Sequence, residues 1–340
     1  MAHNTFATND ALTKKAWEEK LLRDVVKENY FSKFMSEKGD NIVHVKSNLE
    51  KTQGDNITYG LRMRAEFEGV TGSTPLEGNE NDLDFFTDNV SLEYYRIGIK
   101  TGGRLDRKRV MFSIDSEAQD ALKEVGTNKI EQLCFNSIFG SYTRIAYKTG
   151  TNFLQNATKA TVVSALDATN SRATPGFISA LKTYAKTGGN RSFVPLRPVK
   201  ISGKDYWVLL VHPDVIYDLK QDAAIKSAWE GARERDMDNP LFRDAEVIWD
   251  GVVVHSNERV PIATNGGAGS VAFSEGVMLG AQALMWAWGE KPFTESETFD
   301  YKDKKGYSWN MIAGVKKPVF NSQNYGSIGA FFSRTNVSGA

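Results

Sequence analysis

The sequence predicts an α+β fold whose strands are dispersed along the chain and interleaved with helices. Three observations carry this. Two runs alternate with period 2: NITYGLRMR sets Ile57, Tyr59, Leu61 and Met63 on one face, and NVSLEYYRIGIK follows with a change of phase after Tyr94. A helical stripe of Ala118, Leu122, Val125, Ile130, Leu133, Cys134 and Ile138 runs from about Asp115 to Phe139. From Pro198 onward, short apolar strands alternate with helix starts, and the last fifty residues read as strands.

The elements follow in order. The Thr/Asn/Ala-rich beginning reads as a segment that is either loose or draped on a partner. Trp17, Leu21 and Val25, with Leu22 and Val26, then predict an amphipathic helix, with Asp10 or Thr13 as its cap. A short strand, IVHVK, precedes the turn at Gly54-Asp55. The arm from Ala65 to Asn89 joins the two alternating runs, and Gly69, Gly72, Gly78 and Thr74-Pro75 punctuate it. Such a long hairpin tip buries little against itself, so it is either an insertion or a segment that rests outside its own domain.

After Gly102-Gly103 the basic run RLDRKR leads into the long helix, with Ser113 or Asp115 at its start. Gly126 falls inside that helix, and an interior glycine costs about 1 kcal/mol, which predicts a kink or break there. Lys148 to Arg172 is weakly patterned, and a helix with proline at its first position starts at Thr174-Pro175. PVKISGKDYWVLLVHPD predicts a hairpin turning at Gly203-Lys204, whose second strand is buried on both faces, and then a helix entered through His212-Pro213-Asp214. EVIWDGVVVHSN predicts strands around Asp250-Gly251, and the Gly266–Gly269 stretch a loop. SVAFSEGVMLG then reads as a strand and AQALMWAWG as a short helix, before the closing strands.

Composition bounds the function. The chain has 340 residues, 41% hydrophobic and 25% charged, enough for a sizeable core. Lysine plus arginine balances aspartate plus glutamate at 42 each, which argues against a dedicated nucleic-acid binder. Cys134 is the only cysteine, so neither an intrachain disulfide nor a multi-cysteine zinc site is available. That fits synthesis in a reducing cytoplasm. The N-terminus MAHNTFATND has no apolar core, so it does not read as a signal peptide. No apolar run reaches the roughly 18 residues of a membrane span.

Chemistry is sparse. The histidines are His3, His44, His212 and His255. His212 with Asp214 is the one candidate base with an orienting carboxylate, but two residues at a helix entry read more simply as an entry and a dipole-favoured acid. His255 ends a strand, and Cys134 lies on the helix stripe as a buried thiol. Gly267-Ala268-Gly269-Ser270-Val271-Ala272 matches a dinucleotide loop in letters, but a strand follows it instead of a helix. The tip EGNENDLD has the alternating carboxylates and amides of a calcium loop without its regular spacing. No catalytic, cofactor or metal set results, which points to a binding or structural protein and not to an enzyme.

At this point the residues fall into a pattern. KTQGDNITYGLRMR, VTGSTPLEGNE, RLDRKR, RPVKISGKDYWVLLVHPD, LGAQALMWAWG and IAGVKKPVFN, in this order, resemble the major capsid family typified by the coliphage N-four. The resemblance spans about Trp17 to Phe332. It implies the shell fold shared by tailed phages, herpesviruses and encapsulins, the Hong-Kong-phage fold. An N-terminal arm would occupy 1–49, an extended loop 50–103, a peripheral domain with its spine helix 104–211, an axial domain 212–288 and closing strands 289–340.

Implied too are hexamers and pentamers in an icosahedral shell around double-stranded DNA, bound without sequence specificity. A portal, with a scaffolding or cement protein, would complete the particle, which would assemble in the bacterial cytoplasm. Near-neutral charge suits such a shell, because a strongly basic wall would hold DNA too tightly to pack or eject it. A nanocompartment shell of the encapsulin type is the alternative within the class. A hydrolase using His212 and Asp214, or His255, is the alternative outside it.

One departure sharpens the expectation. Some shells of this fold crosslink themselves through a lysine on the extended loop, yet Ala65 to Tyr95 holds no lysine. It carries Glu66, Glu68, Glu77, Glu80, Asp82, Asp84 and Asp88 instead. The tip is therefore expected to form no isopeptide crosslink. Its acids are expected to meet a basic surface of the adjacent subunit: Arg104, Arg107, Lys108 and Arg109, or Arg23 and Lys27. Exposed pairs contribute about 0–1 kcal/mol each, so their use would be register and specificity.

Overall fold

The computed structural model describes residues 29–47, 54–62, 69–73, 75–80, 83, 85–110, 112–139, 141–150, 152–155, 158–189, 193–201, 203–230, 246–267 and 269–337. The expected first helix around Trp17 lies outside them. So do Arg23 and Lys27. The chain divides into two compact units. The smaller includes Tyr94–Lys129 and Pro292–Met311, and the larger is built from Tyr30–Glu93, Ile130–Lys291 and Ile312–Ala340. The division falls inside the long helix Ile114–Phe139 and inside the long strands Leu284–Phe299 and Lys304–Lys316.

The larger unit holds a nine-stranded mixed sheet. Its centre is Val271–Leu279, buried along most of its length between Lys204–Val211 and Ser327–Ser333 and antiparallel to both. Outward from these run Val252–Ser256 and Val247–Trp249 on one side, and Ile145–Thr149 and Asn152–Gln155 on the other. As the unbroken apolar run suggested, Trp207 to Val211 are buried. Helices cover both faces. Phe177, Ile178 and Leu181 of Pro175–Thr187 join Val215, Ile216 and Leu219 of Pro213–Gln221 in one core. Val162 of Lys159–Ala165 joins Phe273 and Phe331 in the other.

Local chemistry sets the ends of these elements. Thr174 caps its helix by accepting from the Phe177 amide, and Pro175 sits at the first position, where no amide is needed. Asp250 and Gly251 both have positive φ, 49° and 78°, the two-residue turn that fits the twist of a hairpin. Ser113 starts the long helix, accepting from the Ser116 amide through Oγ and from the Glu117 amide through its carbonyl.

In the smaller unit the strands run in the order Glu93–Lys100, Lys304–Lys316, Leu284–Phe299, counting only the parts that belong to it. Tyr307, Trp309 and Met311 are buried. Asp115 at the helix start accepts from Lys305 Nζ at 2.9 Å, and this bond with the nearby ammonium charge holds its carboxyl below the usual range.

Four expectations are corrected here. The helix Ile114–Phe139 is continuous through Gly126. A Cβ at Gly126 would stand 2.4 Å from the Trp309 indole, so the glycine exists to admit that ring and not to break the helix. Val125, placed on the buried stripe, is 43% exposed. NVSLEYYRIGIK is two strands: Phe85–Ser91 pairs with Asn56–Arg62, and Glu93–Lys100 joins the other unit's sheet, the phase changing at Leu92. AQALMWAWG is no helix. Leu284 onward is a strand, parallel to Val43–Lys46 with Leu284 opposite Val43 and Ala287 opposite Lys46.

A prediction follows for Gly126. Glycine to alanine inside a helix ordinarily gains about 1 kcal/mol. Gly126→Ala is expected instead to destabilise by roughly 1–3 kcal/mol, because the methyl group overlaps Trp309. Guanidinium unfolding followed by tryptophan fluorescence reads this out, and a raised midpoint would contradict the close approach.

Candidate assembly surfaces

The hairpin is built from its root outward. Ile57, Tyr59 and Val90 are buried with Met285, Ala287 and Phe320, and Leu61, Phe86 and Leu92 pack around them. Tyr59 donates its hydroxyl to the Trp286 carbonyl at 3.1 Å, and burial pushes the phenol upward. Asp88 latches the root. Its carboxylate accepts from Lys316 Nζ at 2.5 Å and from the Val319 amide at 3.0 Å. The hairpin is thus supported at its root, one face of which belongs to the core of its own unit.

Beyond the root the side chains turn outward. Among the described tip residues, Glu77 and Glu80 are exposed. Pro75 to Glu80 forms a compact turn in which Asn79 donates its amide to the Leu76 carbonyl at 2.9 Å and Glu80 accepts from the Gly78 amide at 2.7 Å. Leu76, Leu83 and Phe85 are 58%, 50% and 66% exposed. Glu66, Glu68, Asp82 and Asp84 lie outside the described residues.

The basic cluster belongs to the smaller unit, where Arg104–Arg109 forms a short helix that the sequence did not announce. Its four cations are not equivalent. Arg107 is half-buried and donates to the Gly102 and Asp303 carbonyls, so it holds its own unit together. Arg109 makes only a loose 3.8 Å pair with Asp106. Arg104, Lys108 and Arg109 are exposed, beside Leu105 at 61%. The acids and the cluster are therefore held in different units of one chain.

The exposed apolar residues are not spread evenly. Tyr217 and Val337 aside, the large ones among the described residues lie on the arm, namely Val70, Leu76, Leu83 and Phe85, or in the smaller unit, namely Tyr94, Leu105, Val125, Phe299 and Tyr301. Contiguous exposed apolar groups rimmed by charge mark interaction surfaces.

The candidate bases are occupied. His212 is buried, and its Nδ1 accepts from the Asp214 amide at 3.3 Å as the helix cap. Burial lowers its pKa. Asp214 accepts from the wholly buried Arg334 guanidinium, and one turn on Asp218 accepts from the Thr335 amide and hydroxyl at 2.8 and 2.6 Å. These two acids fasten the segment after the last strand. His255 is 0% exposed, with the Tyr30 and Phe34 rings each 5.8 Å away. Cys134 is buried, and burial raises its thiol pKa. None of these groups faces a site where a substrate could reach it.

A functional group that the sequence reading missed is Lys317. It is buried, and its ammonium donates to the Ile138 carbonyl at 2.9 Å and to the Ser141 carbonyl, closing the end of the long helix. Burial lowers its pKa to about 8. The only sequence signal was a Lys-Lys-Pro run at a strand end.

Comparison with known proteins agrees with this picture. The family described as phage capsid protein matches residues 5–336. The major capsid protein of Pseudomonas phage KPP25 is 25% identical over 368 positions, covering 97% of each chain. Among solved structures, the capsid of Ralstonia phage GP4 superposes with a TM-score of 0.82 at 24% identity, covering 99% of each chain. The cyanophage Pam1 capsid gives 0.81 at 23% identity, covering 99% of this chain and 100% of that one. The acid-stable capsid of Helicobacter pylori bacteriophage KHP30 gives 0.72 at only 14% identity. The shell fold is therefore kept where most residues differ.

Two predictions test the local anchors. Asp88→Ala is expected to cost roughly 1–3 kcal/mol, because it strands the Val319 amide and leaves the Lys316 ammonium with the Asn89 carbonyl and solvent. Lys316→Ala is expected to cost about 1 kcal/mol or less, its side chain being 43% exposed. Urea unfolding compares them, and equal losses would reject the latch. Below about pH 8 Lys317 is protonated folded and unfolded alike; between about 8 and the unfolded value near 10.4 the folded state sheds its proton first, so stability rises with pH. Wild type is expected to gain on the order of 2–3 kcal/mol relative to Lys317→Met across that interval, and a flat difference would refute it.

By its matched length and its shell fold, this chain belongs to the phage capsid protein family.

Proposed function

We propose that the chain is the major capsid protein of a tailed phage, assembling as hexamers and pentamers into an icosahedral shell around double-stranded DNA. Residues 1–49 act as an N-terminal arm, 50–103 as the extended loop, 104–211 with 289–340 as the peripheral domain, and 212–288 as the axial domain. Assembly takes place in the host cytoplasm, with a portal at one vertex and scaffolding or cement proteins as further partners. Membership of the family supports this reading over a nanocompartment shell.

The observation that carries the mechanism is the hairpin with a buried root and an exposed tip. Its acids, Glu66, Glu68, Glu77, Glu80, Asp82 and Asp84, meet the basic helix of the adjacent subunit, where Arg104, Lys108 and Arg109 are the available cations. Arg107 serves the helix's own unit instead. The charges set register, and the apolar residues beside them, Leu76 and Leu105, supply contact area.

The test is expression of the chain alone, then with the phage's other head proteins, and negative-stain microscopy of the product. Shells, tubes or capsomer rings are expected. A protein that stays monomeric in both settings overturns the reading. Lys108→Glu with Arg109→Glu, which spares Arg107, is expected to lower particle yield several-fold at low salt, and yield equal to wild type would reject the charge pairing.

A further inference from the structure

The larger unit holds a pocket of about 390 Å³ where the hairpin leaves its core. Leu61 and Arg62, the last residues of the strand Asn56–Arg62, form one side. Arg197 stands on another, and Met285 forms the floor. Phe320 and Tyr325 close the pocket from the small strand pair Val319–Phe320 and Gln323–Asn324, their rings edge-on at 5.6 Å. Backbone bonds hold these walls from behind. The Ala281 amide donates to the Arg197 carbonyl at 2.8 Å, and the Gln282 amide to the Asn41 carbonyl at 2.8 Å. Asn321 and Ser322 both have positive φ, 47° and 59°, the two-residue turn that sets Phe320 opposite Gln323. The pocket is therefore part of the fold and not a gap between loose side chains.

Its chemistry is one-sided. Met285 and Phe320 are buried and Leu61 is half-buried, so the interior is apolar. Two arginines line the pocket and no acid does. Asp40 meets Arg197 at 2.5 Å, but this pair is exposed and contributes little. A guanidinium carries five N–H donors, so Arg197 can serve a second carboxylate beside Asp40. An apolar cavity of this size with a few convergent polar groups is the usual form of a small-molecule site. The arginines repel a cation, and a neutral hydrocarbon makes no use of them. A phosphodiester strand carries charge along its whole length and would set it against Leu61, Met285 and Phe320. The occupant that fits has an apolar body and a single anionic head.

We propose that this pocket binds a small amphipathic carboxylate of the fatty-acid class. Its chain lies between Leu61, Met285 and Phe320, and its carboxylate meets Arg62 and Arg197 through charge-assisted hydrogen bonds. Leu61 and Arg62 belong to the hairpin, whereas Arg197 and Phe320 belong to the body of the same unit. The bound acid therefore ties the outer end of the hairpin strand to that body and stiffens it.

Equilibrium dialysis of the purified full-length chain with radiolabelled decanoate, kept below its micelle concentration, tests this. Saturable binding of about one decanoate per chain is expected. Decanol and decyltrimethylammonium, with the same chain and no negative charge, are expected to bind about ten-fold more weakly or worse. Equal or unsaturable uptake of all three means partitioning onto apolar surface and overturns the site, as does no uptake of decanoate. Arg62→Gln with Arg197→Gln changes two exposed side chains and spares the core. It is expected to weaken decanoate about ten-fold or more and to leave decanol unchanged, and wild-type affinity for decanoate in this variant rejects the assignment. Hydrogen exchange of the amides of 56–62 is expected to slow when decanoate is bound. Exchange that does not change on binding rejects the tie between hairpin and body.

Discussion

The constraint on which the structure turns is that one hairpin buries its root and exposes its tip. Ile57, Tyr59 and Val90 share a core with Met285, Ala287 and Phe320, and Asp88 adds charge-assisted bonds to Lys316 and the Val319 amide. A fully exposed two-stranded hairpin is marginal in water. Anchored at one end, it presents Leu76, Leu83 and Phe85 without collapsing onto its own subunit. On the function proposed above, assembly is what covers this exposed apolar surface.

The same economy governs the ionisable groups. His212 and Asp214, which the sequence singled out for chemistry, are spent on architecture, and so are two groups it passed over: His212 caps a helix, Asp214 and Asp218 hold the segment after the last strand, and Lys317 closes the end of the long helix. Buried charges of this kind are retained only with partners, since an unpaired one carries a large desolvation penalty. Their placement at the ends of elements fixes where each element stops. That matters in a protein whose function is geometry.

Much of this was legible in the sequence. Period-2 alternation found the first hairpin strand but only the end of the second, whose start at Phe85 was read as part of the arm; the Asp250-Gly251 turn found its strand pair, and Thr174-Pro175 and His212-Pro213 found two helix starts. Of the candidate contact residues, the sequence singled out the acids and the basic run. It had no means of separating Arg107, turned inward onto Asp303, from Lys108 on the surface.

What the sequence alone determined was local: the period of each element, its caps and turns, and the lysine-free acidic arm. These depend on backbone geometry within a few residues, which side-chain spacing reports directly. Tertiary structure decided the rest. Gly126 stayed helical because Trp309 packs against it, and the Ala/Leu/Met-rich run at Leu284 became a strand because Val43–Lys46 lay ready to pair with it. The phase change that the sequence showed after Tyr94 is in the structure a break between two sheets at Leu92. In each case a partner distant in sequence outweighed a local preference of about 1 kcal/mol or less, and such partners exist only once the chain has folded.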